Sequence, residues 1–201
     1  MAHRQQDRKD QLRRALAVEA ARLMAEQGLQ DFLSAKRKAA ERLLINDKSM
    51  LPNNAEIEAA LLEHQRLFGG SRHAQQLQDL RTTALRLMQL LTEFKPHLVG
   101  SVLSGSADVH TEITLHVFID QTEQLVIRLL EHGIETLHTE KKLRYEAEQF
   151  ISMPSFKFIA GEYAVEIVVF PRNGLRQAPL SPVDGKSMAR ADINAVRTLL
   201  Q

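Results

Sequence analysis

The stretch LVGSVLSGSADVHTEITLHVF, residues 98–118, joins an apolar run to a Gly-Ser pair and then to an alternation that carries Glu112, Thr114 and His116. Side chains two apart on a strand share a face, so the alternation predicts Glu112, Thr114 and His116 on one side and Ile113, Leu115 and Val117 on the other. The preceding segment has a different period. From about His73 to Phe94, Leu77, Leu80, Ala84, Leu87, Met88 and Leu91 recur at helical spacing, and Lys95-Pro96 ends the run. The stretch therefore marks a change from helix to sheet. Beyond it, a helix is predicted from about Thr122 to Glu131 with a stop at Gly133, followed by a strand in ETLHTEKKLRY. SFKFIA and YAVEIVVF flank Gly161-Glu162 closely enough to pair as a hairpin.

The chain before this region is helical throughout. Leu12, Leu16, Ala20, Leu23 and Met24 place a helix over residues 11–27, with Gly28 as its stop. A second helix fits Leu33 to Leu44, and a third fits Ala55 to Phe68 after the break INDKSMLPNN. Gly69-Gly70-Ser71 is the best linker, so the expected organisation is a helical region at 1–70 and a second domain at 71–201. The tail RNGLRQAPLSPVDGKS holds Gly174, Pro179, Pro182 and Gly185 and reads as an irregular loop, with a last helix over about 190–200. A surface strap across the domain is the favoured role for that loop; a substrate lid and a partner-docking loop are the alternatives. These elements define an α+β fold: an N-terminal helical region followed by a mixed sheet with flanking helices.

Composition narrows the chemistry. The 201 residues include no cysteine, which excludes disulfides, thiolate metal sites and a cysteine nucleophile. No apolar run approaches the roughly 20 residues of a membrane span, and MAHRQQDRKDQLRR has no apolar segment behind its charges. No membrane association and a cytoplasmic location are the expectations. The net charge of +1 argues against a general attraction to nucleic acid.

The order helix, strand, Gly-Ser, short turn, acidic strand, helix and later acidic strand resembles the nucleotidyltransferase superfamily, the fold shared by polymerase beta-like and minimal nucleotidyltransferases. The likeness spans about Ser71 to Pro171. In that family a Gly-Ser pair leads into a strand with two aspartates two residues apart, and a third carboxylate stands on a neighbouring strand. The resemblance places Gly100 and Ser101 in the phosphate-binding role and Gly105 in the turn. Glu112 falls at the first aspartate position, Thr114 at the second and Glu166 at the third carboxylate position. The chain also resembles a bacterial group that joins such a domain to an N-terminal helical region and ends in a segment like RQAPLSPVDGKSM. That likeness brings no activity with it.

The resemblance implies a site in which Glu112 and Glu166 are the catalytic and metal-binding carboxylates, with Mg²⁺ as cofactor. Gly100 and Ser101 would meet a nucleotide or other phosphate ligand, and Thr114 and His116 would line the cleft. Two divalent ions about 4 Å apart neutralise the charge of nucleotidyl transfer when several carboxylates hold them. Here the middle carboxylate is a neutral threonine, which predicts weakened or absent transfer. Two readings stay open: a phosphate-ligand site with Mg²⁺, and a non-catalytic regulatory or binding module for a protein or nucleic-acid partner. Lys36, Arg37, Lys38 and Arg42 on the second helix would supply a basic contact surface for either partner. AARLMAEQG resembles the first helix of tetracycline-repressor-type regulators, but no aromatic-bearing recognition helix follows it.

Overall fold

In the N-terminal region, small residues set how closely the helices approach. The computed structural model describes residues 2–29, 31–108, 110–146 and 148–201. Helix α1 (Ala2–Gln27) buries Leu16, Ala17, Ala20, Ala21, Leu23 and Met24 against Ala35 and Ala39 of α2 (Phe32–Arg42) and Ile57 and Leu61 of α3 (Asn54–Phe68). Alanines on both sides of the α1–α2 contact cost little side-chain entropy and let the backbones approach closely. The helix starts are chemically specified. Asp31 accepts from the amides of Leu33 and Ser34 at the head of α2, and Asn53 and Glu56 form a reciprocal capping box at the head of α3. Helix α1 begins nine residues ahead of its expected start, because residues 2–10 are good helix formers without an apolar stripe to reveal them.

The chain divides into two units, residues 1–74 with 182–184 and residues 75–181 with 185–201. The second unit is built on a five-stranded mixed sheet. Helix α4 (Gly70–Leu90) and a short 3₁₀ turn lead to β1 (His97–Val99), α5 (Gly100–Ser104) and β2 (Ile113–Phe118). Then come α6 (Thr122–Glu131), β3 (Leu137–Arg144), β4 (Phe150–Ala160), β5 (Tyr163–Phe170) and a final α7 (Ile193–Thr198). Strand order is β1-β2-β5-β4-β3, with β2 and β5 parallel and every other pair antiparallel. The parallel pair explains why α6 and the β3–β4 hairpin lie between those strands in sequence: a parallel connection needs a long crossover. Strand β4 runs further back than SFKFIA suggests. Pro154 pairs with Glu140 of β3, while the ladder to β5 begins only at Ser155, so the missing N–H of the proline falls where β4 has one neighbour.

The sheet has two unlike faces. On the helical side, Ile113, Leu115, Val117, Val165, Ile167 and Val169 pack with Leu80, Ala84, Met88 and Leu91 around α4 and with Leu125 and Leu129 of α6. On the other side, Phe118, Val168, Phe170 and Leu143 form a smaller cluster with Tyr145 and Met153. The tail segments 171–181 and 185–192, hereafter the strap, are tied to both edges of the sheet. Leu180 N–H donates to Arg144 of β3, and Ala191 exchanges two backbone hydrogen bonds with Leu98 of β1. Among the described residues no helix is long and apolar enough to cross a membrane.

Candidate functional site

The expected acidic residues do converge. Thr114 stands opposite Glu166 across the parallel β2–β5 pair, and Glu166 stands opposite Lys157 across β5–β4. Glu112 precedes the first residue of β2 and follows a tight turn in which Thr111 Oγ1 accepts from Asp108 N–H and donates to Asp108 Oδ1. That turn fixes where Glu112 leaves the loop. Its carboxylate accepts from Lys157 Nζ at 2.9 and 3.1 Å, and the same ammonium lies 3.7 Å from Glu166 Oε1. One lysine thus bridges the two glutamates.

Glu166 is the more deeply held of the pair. Its side chain is 2% exposed and accepts from Lys141 Nζ at 2.6 Å and from Ser155 Oγ at 2.9 Å. Burial pushes its carboxyl pKa up, but the hydrogen bond and charge of Lys141, with Ser155 and Lys157, outweigh burial and hold it below the ordinary carboxylate value. Burial likewise works against the Lys157 ammonium, and its two glutamates reverse that and raise its pKa. The side chains of Lys141 and Lys157 are 42% and 39% exposed. Glu166 is therefore the buried member of the group, and the part-exposed ammoniums reach it from the solvent side.

This donor set does not fit a pair of divalent ions. The two carboxylates are already engaged by ammoniums, Thr114 adds no charge, and among the described residues no group of three His, Asp or Glu side chains is placed to hold a metal. Charge within the quartet closes at zero without a metal: two glutamates and two lysines. Neither lysine is marked as a site residue by the acidic motif in the sequence. Alternation in SFKFIA puts Ser155 and Lys157 on one face of β4, which is a legible signal, whereas the doublet Lys141-Lys142 conceals which lysine turns inward.

Gly100 and Ser101 open α5. Because Val99 pairs with Thr114, the chain enters α5 beside the end of β2 that Glu112 precedes. Gly100 adopts φ +72°, a left-handed conformation, with no atom within 4 Å of where a Cβ would stand. The far end of α5 is held by Arg81 of α4, whose guanidinium donates to the carbonyls of Val102 and Leu103 at 3.1 and 3.2 Å.

His116 departs from the cleft-lining role. It is 1% exposed, and its ring packs on Phe170 at 4.5 Å between centroids. Its Nδ1 accepts from Arg190 Nε at 3.2 Å. The reason is the strap, which brings Arg190 over this end of the sheet and covers what alternation alone leaves open. Thr114, half-buried, keeps its position between the two glutamate sites.

Comparison with protein-family models gives no match, and no curated protein matches the chain. Among solved structures the chain is similar to a cytoplasmic RNA terminal U-transferase, with 20% identity over 52% of this chain and 30% of that one, and a TM-score of 0.33. The match spans less than a third of that protein's length. A likeness at this level supports no assignment of activity.

Proposed function

We propose that the sheet unit is a nucleotidyltransferase-like domain that works as a non-catalytic binding module, with lysine ammoniums in place of divalent cations. One observation carries this reading: Lys157 Nζ donates to Glu112 and lies 3.7 Å from Glu166, between the two carboxylates that a metal ion would have to share. An ammonium neutralises those carboxylates as a point charge but offers no open coordination position to a phosphate oxygen. A protein is the favoured partner class. Of the four basic residues on α2, Arg42 binds Glu19, Lys38 reaches Gln27 and Lys36 is half-buried, which leaves a thin strip for phosphate contacts.

The second reading, a nucleotide or phosphate ligand with Mg²⁺ at Gly100 and Ser101, is favoured by the open backbone at Gly100. Calorimetry with Mn²⁺ separates the two. The parent should bind no Mn²⁺, while the double variant Thr114→Asp, Lys157→Met, which places three carboxylates on one face and withdraws the bridging cation, should gain measurable affinity. Mn²⁺ binding by the parent, together with nucleotidyl transfer that Glu112→Gln abolishes, would overturn the non-catalytic reading.

A further inference from the structure

We propose that His116 and Arg190 form an acid-released latch that holds the strap across one end of the sheet. Arg190 is the strap's main side-chain anchor. Its Nε donates to His116, its Nη1 donates to the carbonyls of Gly174 and Leu175 at 2.9 and 3.4 Å, and its guanidinium carbon lies 4.9 and 4.8 Å from the ring centres of Phe118 and Phe170. One side chain thereby joins the start of the strap, its end and two strands. Because Nε–H can only donate, the latch requires an unprotonated Nδ1 on His116.

Acid breaks that requirement. A proton on Nδ1 turns the acceptor into a donor facing another donor, and it sets an imidazolium beside a guanidinium among aromatic rings. The charged groups acting on His116 offer no compensation: Arg190 comes from the strap, His97 faces it across β1–β2, and Lys141 acts from β3. Its partners on β5 are Val168 and Phe170, and Glu166 stands two register pairs away, opposite Thr114, with Lys141 and Ser155 already bound. Tyr145 interacts with Arg190 as a phenol whose pKa burial raises. Burial first, then Arg190, His97 and Lys141, hold the closed-state pKa of His116 well below 6.5. Lifting the strap returns the ring to water and to an ordinary pKa, so protons favour the lifted state.

The size of the effect follows from linkage. With an open-state pKa of about 6.5 and an unprotonated closed state, the opening equilibrium rises about 30-fold at pH 5 and hardly at all at pH 7.5. Hydrogen exchange of the full chain tests this, with protection factors corrected for the intrinsic pH dependence of exchange. Amides of Leu180 and Ala191, bonded to carbonyls of β3 and β1, should lose protection by about that factor at pH 5, while amides in β5 keep theirs. His116→Asn retains an acceptor that does not titrate and should abolish the change. Arg190→Ala serves as a second variant: its strap amides should exchange readily at both pH values. Unchanged protection in the parent, loss shared equally by β5, or a pH response that survives in both variants would each overturn the latch.

Discussion

One face of the sheet holds two cationic sites, and they follow opposite rules. At the Glu112 end, Lys141 and Lys157 are matched by two carboxylates, and the charge sum is zero. At the Phe118 end, Arg190 has a neutral imidazole, carbonyls and two ring faces, with no carboxylate bonded to it among the described residues, and its Nη2 is buried without a hydrogen-bond partner there. Burial lowers the Arg190 pKa. The first site resists disturbance because each charge has a partner within hydrogen-bond distance. The second relies on His116 remaining neutral. The depth of a cation says little by itself about stability; what matters is whether its neighbours change charge in the accessible pH range.

Removing one partner from the matched site should give the largest effect. Lys141→Met leaves the 2%-exposed Glu166 carboxylate with Ser155 and the Lys157 ammonium at 3.7 Å, which Glu112 already holds, and should lower stability by about 3 kcal/mol in urea unfolding at pH 7. A loss below about 1 kcal/mol would mean that Lys157 alone satisfies Glu166, and the two ends would then differ less than their geometry indicates.

A smaller effect separates the ends by pH. The folded pKa of Glu166 lies below the ordinary 4.5, so its contribution is present above that value and is lost as pH falls through the folded pKa. The folded pKa of His116 also lies below its ordinary value, here 6.5, so its destabilising proton uptake on opening begins in milder acid. Stability of the parent should therefore decline in two stages. Glu166→Gln should cost about 1–2 kcal/mol at neutral pH and flatten only the stage below about pH 4.5. If the variant lost the upper stage instead, the assignment of the two windows would be reversed.

The smallest effect belongs to Glu112→Gln. Its side chain is 28% exposed and its partner Lys157 is 39% exposed, so water takes over much of the lost interaction and the cost should stay under about 1 kcal/mol in the same unfolding assay. A larger loss would place Glu112 among the buried charges and make the quartet a single cooperative unit.

Much of this arrangement is legible in the sequence, and the limits have physical causes. Helix α6 falls on its predicted residues, and the switch of period at Lys95-Pro96 marks the entry to the sheet. Opposing Thr114 and Glu166 follows from two alternation patterns once their strands are neighbours. What alternation cannot supply is the identity of whatever covers a face. His116 has the pattern of a cleft residue, and only the strap, which arrives 74 residues later through Arg190, buries it. The continuation HLVGSV reads as strand, yet Gly100 turns the chain into α5 at φ +72°. Periodicity treats every polar residue alike and so does not single out Lys157, which lies on a strand with neighbours on both sides.

The strap also imposes an order on synthesis. A growing chain that ends before Leu180 has every strand in place, yet neither its β3 carbonyl at Arg144 nor its β1 edge at Leu98 has the partner that the finished molecule gives it. Phe118 and Phe170 lack Arg190 at the same stage. Residues made after all five strands thus cover the adhesive parts of the sheet, and until they do, those strand edges and rings are open to pairing with other chains.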